Sequence, residues 1–184
     1  IAVHLAGRSC DMKAIKELSQ QYGFSIIEDA SHAIGASYNN YNVGSCQYSD
    51  ITIFSFHPVK IITCGEGGMA LTNQSSLSEK MQLLRSHGIT NDPKKMTETS
   101  HGPWYYQQIA LGFNYRMTEL QAALGLSQLK RLNTLVDKRN TLAEVYDKAF
   151  IDSELTCLSP PKNIFSSYHL YIVLLPKNKK THQQ

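Results

Sequence analysis

Between Val3 and Glu28 the chain reads strand, helix, strand, and this order constrains the fold more than any other feature of the sequence. Val3 to Ala6 is a short apolar strand ended by Gly7. Asp11 is placed to cap a helix running to Tyr22, with Met12, Ile15, Leu18 and Tyr22 recurring at helical spacing. Gly23 ends that helix, and Phe24 to Glu28 reads as the next strand. Two strands joined by a helix run parallel and cross over right-handed, so the fold class expected is α/β.

Further along, Ile51 to Phe56 and Met69 to Thr72 read as strands, with turns at Asn39-Asn40 and Val43-Gly44 between them and the first unit. Ser76-Leu77-Ser78-Glu79 has the form of a capping box opening a helix to about Ser86. His87 to Gly112 shows no clear period and is interrupted by Pro93 and Pro103, so a long functional loop is expected. Thr118-Glu119-Leu120-Gln121 is a second capping box, opening a long helix to about Phe150. Leu120, Leu124, Leu132, Val136, Ala143 and Tyr146 supply much of its apolar stripe. Pro160-Pro161 closes a linker, and Tyr168 to Leu175 reads as a strand. Residues 1–150 are expected to belong to a large domain ending in the long helix, and 151–184 to begin a small one.

Composition removes several function classes. The net charge is only +3 over 184 residues and the basic residues are scattered, except for Lys177, Lys179 and Lys180. A basic surface for nucleic acid is not supported. No apolar run approaches the ~20 residues of a membrane span, and Ile1 to Ala6 lacks the pattern of a signal peptide. Four separated cysteines without a C-x-x-C pair point to free thiols in a reducing cytoplasm rather than to disulfides or a metal site.

The chemistry concentrates at two strand ends. Ser55-Phe56-His57-Pro58-Val59-Lys60, followed by Gly65-Glu66-Gly67-Gly68, puts a lysine where an apolar strand must turn sharply. A lysine at its free pKa of about 10.4 is a poor nucleophile, but desolvation beside another cation makes it able to form a Schiff base with a carbonyl group. Ile26-Ile27-Glu28-Asp29-Ala30 ends a second strand in carboxylates. An amine and an anion at neighbouring strand ends match the needs of pyridoxal phosphate, which attaches through a lysine and keeps its ring nitrogen protonated beside an acid. Asp29 is the candidate acid, and Glu28, facing the other side, is read as structural. His32 could contact the cofactor or be an ordinary satisfied histidine. His57 and Pro58 shape the turn, and the glycines permit close backbone approach.

Glu28-Asp29-Ala30-Ser31-His32-Ala33, Ser55 to Lys60, Gly65 to Gly68 and Gly112 to Ala123 occur in the order of the motifs of the DegT-type aminotransferases, which the chain resembles over most of its length. That family aminates keto groups on nucleotide-linked sugars with pyridoxal 5'-phosphate. The resemblance implies an aspartate-aminotransferase-like (type I) large domain, incomplete here, with the start of a small domain. It implies Lys60 as the catalytic lysine, Asp29, His32 and Ser55 as cofactor ligands, and Asn114 as a ligand of the cofactor phosphate in the neighbouring subunit of a homodimer. His169, in Ser167-Tyr168-His169-Leu170-Tyr171, matches a segment facing the sugar nucleotide. His57-Pro58-Val59-Lys60 and Val3-His4-Leu5-Ala6-Gly7 are most similar to the branch acting in pseudaminic acid synthesis, a route to surface or flagellar glycans. Glutamate is the expected amino donor.

The resemblance also implies that a complete member carries a further N-terminal segment, with a phosphate-cradling turn and a stacking aromatic ring, and a longer small domain. The chain is therefore expected to be the middle of an enzyme. Its rival reading is a non-catalytic remnant or dimerisation module, inactive in isolation. A related dehydratase group replaces the lysine with histidine, and Lys60 argues against it.

Overall fold

The computed structural model describes residues 1–176, and the polar tail read at Thr181 to Gln184 lies outside them. A four-stranded sheet carries the fold, in the order β1 (Ala2–Val3), β2 (Ile27–Asp29), β5 (Ile51–Ser55), β6 (Gly68–Leu71). β1, β2 and β5 run parallel, as the strand–helix–strand reading requires, and β6 returns antiparallel to β5. Gly68 sits where an added Cβ would lie 2.8 Å from the Phe54 carbonyl oxygen, so β6 reaches β5 closely only because this residue lacks a side chain.

α1 (Met12–Tyr22) links β1 to β2. Asp11 caps it by accepting the Ala14 N–H at 3.2 Å, and Gly23 ends it at φ 72°. Its buried face is Met12, Ile15 and Ser19, while Leu18 and Tyr22 are exposed, so the stripe is rotated from the one expected. The segment after β1 is a correction. The strand stops at Val3, and Leu5–Gly7 is a 3-10 turn with Ala6 at φ 61° and Gly7 at φ 95°. Asn39 and Asn40, both at positive φ, close the hairpin of β3 (Ser37–Tyr38) and β4 (Tyr41–Asn42), as their turn chemistry demands.

α2 (Ser75–Arg85) starts without a capping box, contrary to expectation. Its N-cap is Gln74, whose amide donates to Asp50 Oδ1 at 2.7 Å, while Glu79 pairs with Lys95 at 2.8 Å instead of turning back on the helix. The loop from His87 to Gly112 contains a short hairpin, β7 (Ile89–Thr90) against β8 (Gln107–Gln108), that no period announced. The long helix is two. α3 (Glu119–Leu129) opens on the expected capping box of Thr118 and Gln121, and α4 (Leu132–Ala149) follows after a tight turn in which the Arg131 N–H bonds to the Gln128 carbonyl. Of the expected stripe only Val136 and Ala143 are buried and Leu132 partly so; Tyr146 is exposed, and Leu120 is 85% exposed.

After α4, β9 (Thr156–Cys157) pairs with β11 (Val173–Leu174), a shorter strand than the one read from Tyr168 to Leu175. Between them β10 (Ile164–Phe165) returns to pair with β3. The principal core lies between the sheet and α4, around Ala30, Ala33, Phe54, Ile61, Ile62 and Val136. All four cysteines are free thiols. Among the described residues no helix is long and apolar enough to cross a membrane, and no group of three acidic, His or Cys side chains is placed to hold a metal ion.

Beneath the sheet's carboxyl ends lies a buried polar network. Glu28 accepts from His4 Nε2 at 2.7 Å, from Thr52 Oγ1 at 3.1 Å and from the Ser49 hydroxyl, joining the residue after β1 to β2 and β5. Burial alone would raise the Glu28 pKa, but the hydrogen bonds from His4 and Ser49 outweigh it and hold the carboxyl below its ordinary value. Glu28→Ala should cost about 3–5 kcal/mol in urea denaturation, because it strands buried partners. The folded pKa lies below the ordinary 4.5, so this stabilisation is complete above that pH and is lost as pH falls through the folded value. Glu28→Gln should accordingly flatten the acid side of the stability profile.

Candidate active site

The alternation of β2 that buries Glu28 turns Asp29 to the opposite face, at the carboxyl end of the parallel strands where open α/β sheets bind ligands. Asp29 Oδ1 accepts the Ser31 backbone N–H at 3.1 Å, which orients the carboxylate. Hydrogen bonding from Ser31 is the main reason its pKa lies below the ordinary carboxylate value; the protonated form of His32, present only at low pH, and Lys60 add to this, against the effect of burial. Asp29 is therefore an anion at neutral pH.

Lys60 enters from the turn after β5. Its backbone N–H bonds to the His57 carbonyl at 3.0 Å, and the Phe56 N–H and carbonyl are tied to Gly67 and Cys64 on the returning segment. His57 and Pro58 shape this turn, exposed, with His57 3.7 Å from Glu66. The half-buried Lys60 ammonium makes no salt bridge among the described residues, yet its charge acts on Asp29, His32 and His169 alike. The Lys60 charge is thus within electrostatic reach of Asp29, His32 and His169.

His32 and His169 are in direct contact, with ring centroids 4.4 Å apart. Burial and the Lys60 charge lower the His32 pKa, with Asp29 opposing. Burial first, then His32, Lys60 and Arg139, push that of His169 down to about 4. Both rings are neutral at pH 7. His169 Nδ1 is buried with no hydrogen-bond partner among the described residues, an orphan that suits a ligand contact. Ser55 ends β5 half-buried, its hydroxyl oxygen facing the His57 N–H at 3.4 Å. Asn114 is set apart from this cluster: it is exposed and bridges in backbone register to Ser86.

Sequence reasoning missed the residues that hold the site. The Arg139 guanidinium donates to the Tyr168 and His169 carbonyls at 3.1 and 3.3 Å, and the Asn140 amide donates to the Ser166 carbonyl at 3.0 Å. Their spacing from Val136 and Ala143 put them on the buried side of α4, which was the available signal. In the loop from His87 to Gly112, Tyr105 stacks on His101, while Trp104 and Tyr106 are exposed.

An amine, a fixed anion, a strand-end hydroxyl and neutral imidazoles at the carboxyl ends of a parallel sheet fit pyridoxal phosphate as a donor set. The fold is α/β, that of the type I pyridoxal-phosphate-dependent transferases. More narrowly, the sequence model of the DegT/DnrJ/EryC1/StrS aminotransferase family matches residues 1–184, and the chain belongs to that family. It is 41% identical over 174 residues to the UDP-4-amino-4,6-dideoxy-N-acetyl-beta-L-altrosamine transaminase of Campylobacter jejuni, covering 94% of this chain and 43% of that protein. The solved structure of Helicobacter pylori PseC, an aminotransferase of pseudaminic acid biosynthesis, superposes with a TM-score of 0.83 at 39% identity, over 95% of this chain and 44% of the other. Spr1654 from Streptococcus pneumoniae, in its PMP-form, superposes with a TM-score of 0.80 at 30% identity, over 93% and 47% of the two chains. The chain thus spans under half the length of each of these proteins.

The convergence of charge has a signed consequence. Asp29→Asn should lower the His32 pKa further, because it removes the anion that favours the charged ring, whereas Lys60→Met should raise it. Proton NMR titration of the His32 ring in the ligand-free protein reads both shifts, and equal titration in the two variants would place the three residues apart.

Proposed function

We propose that the protein carrying this chain transfers an amino group from glutamate to the keto group of a nucleotide-linked sugar, using pyridoxal 5'-phosphate. The observation that carries this reading is the His32–His169 ring pair, 4.4 Å between centroids, within electrostatic reach of the Lys60 amine at the strand ends where Asp29 is held as an anion. Bound there, the cofactor would supply a carbonyl that condenses with amines and a ring that accepts electrons. Asp29 would hold the proton on the ring nitrogen, and Ser55 would bind the phosphate. Lys60 would anchor the group and would serve as the base for the proton on the substrate carbon bearing the amino group. His32 would contact the bound group, and His169 Nδ1 would be the polar atom offered to the sugar nucleotide.

Asn114, on an exposed segment before α3, is assigned to the cofactor phosphate of the neighbouring subunit in a homodimer. The exposed apolar residues around it, Leu111, Phe113 and Leu120, support an interface there. The similarity to transaminases of altrosamine and pseudaminic acid synthesis favours a sugar of that kind and a role in surface or flagellar glycans. Nucleotide sugars and free thiols suit the cytoplasm. Residues 1–150 are assigned to the cofactor-binding large domain and 151–184 to the opening of the small domain.

In the whole protein, Lys60→Ala should lower transamination by at least ~10²–10⁴-fold, the usual worth of a positioned base. Borohydride reduction followed by peptide mapping should fix the cofactor on Lys60; labelling of Lys80 or Lys130 instead would refute the assignment. Mixing Lys60→Ala with Asn114→Ala subunits should restore activity that neither variant has alone, since each mixed dimer then contains one intact site. Absence of such rescue would show that Asn114 serves its own subunit.

A further inference from the structure

Tyr168 occupies φ 46°, a left-handed conformation that a bulky side chain disfavours and that its surroundings must maintain. Both peptide units beside it are pinned. Its N–H donates to Ser166 Oγ at 3.1 Å, and that hydroxyl donates in turn to the Gly7 carbonyl at 3.1 Å. Its carbonyl accepts from Arg139 Nη1 at 3.1 Å. The same nitrogen reaches the next carbonyl, that of His169, at 3.3 Å. Beyond it the Leu170 N–H donates to the Ala6 carbonyl at 3.3 Å. His169 is thus flanked by two peptide units of fixed orientation, and Arg139 holds each of them.

We propose that Arg139 is a positioning residue of this site: by holding the Tyr168 and His169 carbonyls it keeps Tyr168 left-handed and the His169 ring against His32, with Nδ1 free for the substrate. Among the described residues Arg139 makes no salt bridge, so its charge is directed at carbonyls rather than at an acid. A charged donor makes the stronger kind of hydrogen bond, and a guanidinium keeps its protons at any physiological pH. Asn140, the next residue of α4, donates to the Ser166 carbonyl and to the Val136 carbonyl of its own helix, both at 3.0 Å. Three carbonyls of the segment 166–169 are therefore held from one rigid helix.

The opposite side of the segment rests on the turn after β1. The Ser167 N–H donates to the Gly7 carbonyl at 3.0 Å, and the Ser167 hydroxyl donates to the His32 carbonyl at 3.2 Å. An added Cβ at Gly7, φ 95°, would stand 2.7 Å from Ser167 Oγ and 2.8 Å from the Tyr168 nitrogen, so the segment seats directly on the turn. Held between helix and turn, the His169 ring packs on His32 at 4.4 Å while its Nδ1 stays buried and unpaired. A polar atom in that state costs free energy, and a ring on a loose backbone would turn it to water. Arg139 removes that escape, which leaves the nitrogen ready for a ligand.

The substrate contact rests on the aminotransferase reading, but the hold on the ring is a property of the chain itself. Arg139→Met keeps an apolar stem and removes the donor. In the cofactor-free protein, proton NMR should then show weaker Overhauser contacts between the His32 and His169 rings and faster exchange of the Leu170 amide, with α1 and β5 amides unchanged. A folded variant that keeps both the ring contact and the protection overturns the positioning role. If Arg139→Met does not fold, Arg139→Gln is measured in its place, and a spectrum identical to the unmodified one there overturns the role as well. In the whole protein Arg139→Met should raise KM for the nucleotide sugar about 2–10-fold, the worth of one neutral hydrogen bond, while the half-reaction with glutamate keeps its rate. An equal loss in both half-reactions would mark a general structural residue and overturn the proposal. Loosened rings in a protein that transfers no amino group to nucleotide sugars would refute the aminotransferase reading and leave the hold standing.

Discussion

The Glu28 carboxylate is the interaction on which the rest depends. It is buried, it accepts from His4 just after β1, from Thr52 on β5 and from Ser49, and it lies on the strand between β1 and β5. A one-residue slip of β2 would carry this charge to the opposite face and strand its partners, at a cost that few other contacts here could offset. Its neighbour Asp29 inherits that certainty. Because side chains alternate along a strand, pinning Glu28 below the sheet also pins Asp29 above it, and the His4 N–H bond to the Asp29 carbonyl at 3.0 Å secures the same register from β1. The buried network thus sets the geometry of a site in which it takes no chemical part.

Above the sheet the electrostatics are asymmetric. Asp29 is kept ionised by Ser31, while burial and the nearby cations keep His32 and His169 neutral. One fixed anion and one amine, with no competing imidazolium, is the combination that lets a bound group be protonated at a chosen atom. That arrangement depends on the segment 166–170 folding back over the turn at Ala6 and Gly7, contacts that join residues some 160 positions apart in sequence.

Motif and spacing disclosed much of this. Asp11 and Gly23 bound α1, and Thr118 with Gln121 opens α3, because a cap is a local contract between a side chain and the next turn of backbone. The same signal failed at Ser76 to Glu79, where Gln74 is drawn to Asp50 and Glu79 to Lys95 by contacts that only the fold brings near. The break between α3 and α4 falls at Lys130 and Arg131, with neither glycine nor proline to mark it. The stripe over Leu120 and Leu124 matched the helical period but is exposed in this chain, since period reports a face and not what covers it.

Residue identity alone determined the parallel strand–helix–strand core, the opposite fates of Glu28 and Asp29, and the candidacy of Lys60, because each follows from alternation, capping or a turn within a few residues. Tertiary structure alone decided that His32 meets His169, that the Ala6 N–H reaches the His32 ring, and that Arg139 holds the carbonyls of Tyr168 and His169. Those contacts cross more than twenty positions, and nothing in the local pattern of a helix-surface arginine or a turn alanine encodes which distant carbonyl or imidazole it will meet.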